Sequence, residues 1–445
     1  MSKQNSPLVL GTERISKLLT QYAIPAIIAM TASSLYNMAD SIFIGHGVGP
    51  LAISGLALTF PLMNLAAAFG SLVGVGASTL VSVKLGQKDY EGANKVLGNV
   101  LVLNVVLGLA FTLVFMLLLD PILYFFGASE NTILYARDYM NVILIGNVIT
   151  HMYLGLNAVL RSSGFPKLAM YATLASVVIN CVLNPLFIFG FGWGIKGSAW
   201  ATVISQVISL TGQLIHFSRP KELLHFKKGI YRLKSEIVKG ILYIGMSPFL
   251  MNLCACLIVI LINRGLKEHG GDMAIGAYGI VNRVVFLFIM IIMGFNQGMQ
   301  PIAGYNFGAR EMKRVKKIFR LTLESSCVIM LFGTVICLLA SGQLMGLFTT
   351  TPETIAAGSR ALKIISAGFL VSAVSVTTSG AMEGLGKGTQ SLVISLFRYV
   401  VVIMPTAYLL SHFMGPDGVW NAFWITEVFT AIVSVMIYHK TLKKA

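Results

Sequence analysis

Two copies of one pattern stand 222 residues apart in a chain of 445 residues. The first reads VGVGASTLVSVKLGQKDYEGANKV from Val73, and the second reads MGFNQGMQPIAGYNFGAREMKRVKKI from Met293. Gly76 matches Gly298, Gly86 matches Gly308 and Lys95 matches Lys317 at that separation. Phe126 with Phe348, Thr132 with Thr354, Ile133 with Ile355 and Gly164 with Gly386 keep the register, and Pro25 matches Pro248 at 223. The fold must therefore be built from two similar bodies, each about half the chain. Hydrophobic residues make up 56% and charged residues 11%, against about 25% charged in a soluble protein. A soluble fold of this size cannot hide so much apolar surface, whereas a bilayer can. Two membrane bundles of one design suit a transporter, because they can rock about a site between them.

The expected fold is an all-α polytopic membrane protein with two homologous six-helix bundles. Twelve apolar runs are long enough to cross as helices: 18–44, 51–84, 93–119, 133–160, 168–191, 195–217, 237–264, 274–306, 315–340, 355–382, 389–413 and 418–439. The bundles are 1–217 and 237–445, joined by a basic connector over 218–236 that reads as a solvated linker. The net charge of +16 would suggest nucleic acid in a soluble protein. Here its distribution argues otherwise. Of 33 Lys and Arg, 25 fall at the termini and in the loops after even-numbered spans, and only Arg137, Lys196, Arg264, Lys267, Arg360 and Lys363 fall on the other side. Positive charge marks the cytoplasmic face, so both termini are expected in the cytoplasm and no nucleic-acid partner is expected. No cleavable signal is evident, since Met1–Lys17 is polar and the first apolar run is too long.

Cys181, Cys254, Cys256, Cys327 and Cys337 all fall inside spans and read as packing residues. The stretch GLGKGT at Gly384–Thr389 lacks the first glycine of a phosphate loop and has Gly388 where Mg²⁺ needs a hydroxyl. With no ATP site, cofactor or enzymatic motif, any pumping must draw on an ion gradient. Ionisable residues inside spans are the place to look. Asp40 shares one face of span 1 with Ser33, Tyr36 and Asn37. Asn180 and Asn184 on span 5 and Thr202 on span 6 offer neutral oxygens for a proton or a Na⁺ ion at Asp40. The competing reading makes Asp40 a helix cap near the outer surface. Pro25, fifteen residues earlier, removes a helix hydrogen bond and permits a bend. The second half lacks this cluster and carries Arg283, Glu324, Arg398 and Glu427 instead. These read as a structural ion network or as substrate contacts, with Arg398–Glu427 and Arg320–Glu324 as candidate pairs.

Several stretches together resemble the MATE (multidrug and toxic compound extrusion) transporters over nearly the whole chain. They are PAIIAMTASSLYNMADSIFIG in span 1, LRSSGFPK at Leu160–Lys167, NPLFIFGFGWGIKGSAWATVISQ from Asn184, and AYGIVNRVVFLFIMIIMGFNQGMQPIAGYNFGAR from Ala277. The most distinctive element is Gln300-Pro301, preceded by Gln297 and followed by Asn306 and Gly308. The resemblance implies a V-shaped pair of bundles in the bacterial inner membrane, working as a monomer. It implies export of drug-like, often cationic amphipaths by H⁺ or Na⁺ antiport. Asp40, Asn157, Asn180 and Thr202 match the polar site of the DinF-like branch, and Pro25 matches its bending proline. Asn184 departs from the pattern, since many relatives carry an acid there. A flippase for lipid-linked sugars is the alternative within the wider superfamily, with Arg283 and Arg398 serving a pyrophosphate.

Overall fold

Helices account for 87% of the chain, as its apolar runs require. The computed structural model describes residues 7–443; within its helices, side chains at 7, 8, 38, 50, 256, 260, 263, 264, 267–273 and 275 lie outside that description. The expectations for Cys256, Arg264 and Lys267 therefore concern side chains outside the described residues. A short 3₁₀ turn, Pro7–Gly11, precedes α1 (Ile15–Gly47), α2 (Pro50–Gly86), α3 (Tyr90–Leu117), α4 (Leu119–Phe125), α5 (Ile133–Ile145), α6 (Asn147–Ser162), α7 (Pro166–Pro185) and α8 (Gly194–Phe217). The second half holds α9 (Ser235–Gly308), α10 (Met312–Leu339), α11 (Ser341–Gly346), α12 (Pro352–Ser366), α13 (Phe369–Gly384), α14 (Gly388–Leu396), α15 (Met404–Met414) and α16 (Pro416–Lys443). Two π-helical turns, Leu186–Gly190 and Phe397–Ile403, extend α7 and join α14 to α15.

Among the described residues, nine helical stretches are long and apolar enough to cross a membrane, or eleven if each of two bent pairs counts as one span. Those pairs replace two runs expected to be continuous. The α5–α6 pair bends by 55° at Gly146, and the α12–α13 pair bends by 57° at Ala367–Gly368. The remaining expected span is α8, which is not among the eleven. Ser198, Thr202, Ser205, Ser209, Gln213 and His216 are buried on that helix and lower its hydropathy. A loop was expected over 265–273, yet the helical backbone of α9 runs through it, in a stretch without proline to stop a helix. Leu113, Leu117, Phe332 and Leu339 present large apolar surface outward, as lipid-facing residues do.

The chain forms two compact units. Unit 1 holds the N-terminal segment through Glu13 together with Ile28–Phe249 and Gly304–Arg310; unit 2 holds Arg14–Ile27, Leu250–Ala303 and the chain from Glu311 onward. Arg14–Ile27, ending two residues past Pro25, and the stretch up to Phe249, one residue past Pro248, thus each belong to the unit built mainly from the other half. Unit 1 has its core around Ile44, Leu62, Tyr139, Met140 and Leu144. Unit 2 has its core around Ile262, Val281, Ile292, Met330 and Trp420.

The segment 218–236, read as a solvated linker, is instead fastened to α3. Asn94 Nδ2 donates to the Leu223 carbonyl at 3.2 Å, and its Oδ1 accepts from His225 N at 3.0 Å. Asn99 does the same for the Ile230 carbonyl at 3.3 Å and Lys234 N at 3.0 Å. Leu224 and Ile230 are buried beneath it. Asp89 caps α3, accepting from Gly92 N at 2.8 Å and from Lys84 Nζ at 2.8 Å. The Lys84 ammonium holds the Asp89 carboxyl below the usual carboxylate range.

The repeated glycines have a packing reason. A Cβ on Gly86 would lie 1.9 Å from the Tyr305 carbonyl oxygen, and one on Gly308 would lie 2.1 Å from the Val83 carbonyl oxygen. The two matching helix ends therefore cross at backbone contact inside unit 1. Both neighbours are backbone atoms and cannot swing aside. Gly86→Ala is expected to lose about 1–3 kcal/mol and several degrees of melting temperature in detergent. An unchanged melting temperature would mean that this crossing is not close in solution.

Candidate functional site

Asp40 lies near the end of α1, 6% exposed, and does not cap a helix end in water. Two helices bring donors to it. Asn184 Nδ2, from the last turn of α7, donates to Asp40 Oδ1 at 2.7 Å. The Ser198 hydroxyl, from the first turn of α8, donates to the same oxygen. The Tyr139 side chain of α5 stands close enough to act on the same carboxylate. The network continues from Asn184 Nδ2 to Asn180 Oδ1 at 2.9 Å, from Asn180 Nδ2 to Thr202 Oγ1 at 3.2 Å, and from Thr202 to the Tyr36 hydroxyl at 2.8 Å. Sequence spacing explains the geometry. Tyr36 and Asp40 are four apart on α1, Asn180 and Asn184 four apart on α7, and Ser198 and Thr202 four apart on α8, so each helix offers one polar face. Pro185, next to Asn184, lacks an N–H, and the π turn Leu186–Gly190 begins directly after it.

The chemistry of the cluster is one-sided. The neighbours of Asp40 are donors, which suits a charged carboxylate. Burial disfavours that charge. One acceptor is in reserve: Asn184 Oδ1 is buried and has no hydrogen-bond partner. A half-turn of the Asn184 amide would present that oxygen to a proton on Asp40. Without the turn, the same oxygen, the carboxylate and Asn180 Oδ1 could face a small cation. Amide orientation is an assignment that follows the hydrogen bonds, so both states are open to these atoms.

Not every expected residue joins the cluster. Asn157 sits apart: its Nδ2 donates to the Ala169 carbonyl at 2.9 Å and to Thr173 at 3.3 Å, and its Oδ1 accepts from Arg161 at 2.7 Å. Asn37 is exposed. Pro25 is buried ten residues into α1. In unit 2, Arg398 and Glu427 form a largely buried ion pair, and Ser375 donates to Glu427 at 3.1 Å. Glu324 pairs with Arg320 at 2.7 Å on an exposed face. Arg283 is exposed and joins neither pair, and Gln297 is half-buried. Gln300 Nε2 donates at 3.0 Å to Glu383, a buried acid that sequence reasoning assigned to a loop because it lies one residue past the expected span. Ser391 also donates to Glu383, at 3.0 Å. Ser198 and Tyr139 were missed as well. The four-residue spacing of Ser198 from Thr202 was the signal for the first, whereas Tyr139 gave none. A cavity of about 380 Å³ in unit 2, lined by Ile262, Met404, Tyr408 and His412 among others, does not touch either acid cluster.

Replacing Asn184 with Asp would set a second carboxylate at hydrogen-bond distance from Asp40. Two such groups share a proton or bind a cation rather than both ionise freely. The Asn184→Asp variant is expected to shift the pH profile of efflux by about one unit or to acquire a Na⁺ dependence. An unchanged pH and Na⁺ response would separate the two side chains.

The MatE family model matches residues 25–186 and 244–409, one stretch in each half. A protein called multidrug export protein MepA, from Staphylococcus haemolyticus, is 29% identical over 96% of this chain and 93% of its own length. The protein of that name from Staphylococcus aureus is 28% identical over 96% of this chain and 94% of its own. Among solved structures, an outward-facing multidrug resistance MATE family transporter of the MOP superfamily superposes with a TM-score of 0.93, 26% identity and full coverage of both chains. A MATE structure in a bent conformation gives 0.94, with 26% identity and 99% of each chain covered.

Proposed function

The chain belongs to the MatE family, and from that premise we propose that it exports small drug-like molecules against H⁺ or Na⁺ entering at Asp40. It is a multidrug efflux transporter, not an enzyme. The relatives named above as multidrug exporters and MATE transporters support amphipathic, often cationic compounds as its cargo. The two homologous halves, 1–217 and 237–445, alternate access to that cargo, and one chain is the working unit. The protein lies in the bacterial inner membrane with both termini in the cytoplasm. That orientation is supported by 25 of 33 Lys and Arg on one side.

The observation that carries the coupling reading is the buried Asp40 with its donors and the unpartnered Asn184 Oδ1. A group that must alternate between charged and neutralised needs both kinds of neighbour, and this cluster provides them. The Arg398–Glu427 pair supports a different role for unit 2. Each charge already has its partner, so neither is free to carry an ion through a cycle. That pairing also weakens the flippase alternative, since Arg398 is no longer available to a pyrophosphate.

Pro25 fits the cycle as a hinge. It lies two residues before α1 passes from unit 2 to unit 1, between Ile27 and Ile28. A helix bond missing there lets α1 bend without breaking another.

Ethidium efflux from cells lacking their own pumps tests both roles. Asp40→Asn should reach the membrane at the parental level and lose efflux at least about tenfold, the loss of one coupled charge. Export at the parental rate would move the coupling ion to another buried acid, Glu383 or Glu427. Pro25→Ala should slow turnover with little change in ethidium affinity; equal turnover would reduce the proline to a packing residue.

A further inference from the structure

The polarity that sets α8 apart extends well beyond the Asp40 cluster. Ser198, Thr202, Ser205, Ser209, Gln213 and His216 recur at spacings of four, three, four, four and three. On a helix of 3.6 residues per turn they fall within an arc of roughly 80°. All six are at most 7% exposed. From first to last they cover about 27 Å at 1.5 Å per residue, close to the thickness of a bilayer's hydrocarbon core. This face packs within unit 1, among α5, α6 and α7.

The upper and lower parts of this face differ. In the upper part every group is bonded. Ser198 donates to Asp40, Thr202 meets Asn180 and Tyr36, and Ser205 donates to the Thr202 carbonyl at 2.8 Å while accepting from Ser176 at 3.4 Å. In the lower part, Ser209 Oγ, both polar atoms of the Gln213 amide and His216 Nε2 are buried with no hydrogen-bond partner. Glu222, just past the helix, adds a buried and unpartnered Oε2. Leaving that many polar atoms unpaired is costly. Buried polar atoms in a row are where ordered water sits in proteins.

The second half provides an internal control. At a separation of 221, set by Gly197 and Gly418, the same six positions hold Val419, Phe423, Thr426, Thr430, Ser434 and Ile437. Its three hydroxyls each donate to the carbonyl four residues back in α16, at 2.6, 2.7 and 2.7 Å. Its ends are closed by apolar side chains. Among the described residues, the matching face of α16 thus carries no such unpaired row.

We propose that the α8 face holds a file of water molecules linking Asp40 to His216 and Glu222 at the end of the helix, and that this file is the route by which Asp40 releases its proton to the cytoplasmic side. The inference rests on the coupling reading of Asp40 and names its ion. A proton moves along such a file by exchange. At each link one O–H bond forms as the next breaks, so no heavy atom has to travel. At the near end the Asp40 carboxylic acid becomes a carboxylate, and at the far end His216 Nε2 takes up a proton and passes it to water; a pH jump runs the same steps in reverse. A dehydrated Na⁺ ion would instead have to pass the N–H donors of Gln213, wedged beside the buried Leu210 and Phe217. The charged groups acting on His216 are Glu222 and Arg219, and the Phe165 ring lies against it at 4.5 Å. Gln213 is the point at which to interrupt the file, because a leucine of similar size removes both of its unpartnered polar atoms.

Time-resolved infrared spectroscopy after a pH jump tests this on the full-length protein in proteoliposomes. The carboxylic-acid C=O band that Asp40→Asn abolishes is followed as it grows. Gln213→Leu is expected to slow its appearance at least tenfold and to leave its final amplitude unchanged, since the file sets the rate and not the affinity. Gln213→Asn keeps an amide in place and should retain most of the parental rate. Parental kinetics in Gln213→Leu would overturn the water file. So would a band in the parent that responds to Na⁺ and not to pH. If Asp40→Asn leaves the band intact, the proton resides elsewhere and the coupling reading itself fails, whatever Gln213→Leu does. Should Gln213→Leu not fold, Ser209→Val interrupts the same file one turn closer to Asp40 and carries the same expectation.

Discussion

A carboxylate removed from water must be met by hydrogen-bond donors, by a counter-charge or by a proton. Asp40 is in that position, and much of unit 1 is arranged around it. The α7 helix presents Asn180 and Asn184, α8 presents Ser198 and Thr202, and α5 reaches in with Tyr139. None of these neighbours carries a positive charge, so no fixed ion pair quenches Asp40. Such a neutral cage is compatible with a change of charge state, as the proposed coupling role requires.

Unit 2 resolves the same constraint differently. Glu427 has Arg398, and the pair is largely withdrawn from the surroundings. Such a pair is strongly destabilising to break, so it holds α16 against the π turn that contains Arg398. Glu383 is satisfied by Gln300 and Ser391, which gives the most distinctive glutamine of the resemblance a partner. A duplicated fold has thus divided its buried charges, with a neutral donor cage around one acid and paired or closely held acids on the other side.

The repeat, the all-helical membrane class and the family were legible in the sequence, because they rest on composition and on motifs spread along the whole chain. The core of the site was legible too: Tyr36, Asp40, Asn180, Asn184 and Thr202 are brought together as their helical spacing implies. Asn157 was not legible in the same way. It came from family likeness alone, and the structure commits it to Arg161 and Thr173. Asn37 shares the face of Asp40 only loosely and points out of the cluster. Glu383 was lost to a span boundary set one residue short. The bends at Gly146 and at Ala367–Gly368 leave hydropathy unchanged, so no apolar run could reveal them. The fastening of 218–236 to Asn94 and Asn99 was hidden for a related reason, since a basic segment reads as solvated whether or not two amides hold its backbone. The full length of the α8 stripe was readable at its spacing of three and four, but its meaning depends on which atoms find partners, and only coordinates give that.

The central claim is that a proton at Asp40 powers export. It is tested most directly by ethidium transport in wild-type proteoliposomes under one gradient at a time. The account predicts uphill transport under a pH gradient in nominally sodium-free buffer, and no added transport from an equal sodium gradient at uniform pH. Transport that needs the sodium gradient and ignores the pH gradient would contradict it.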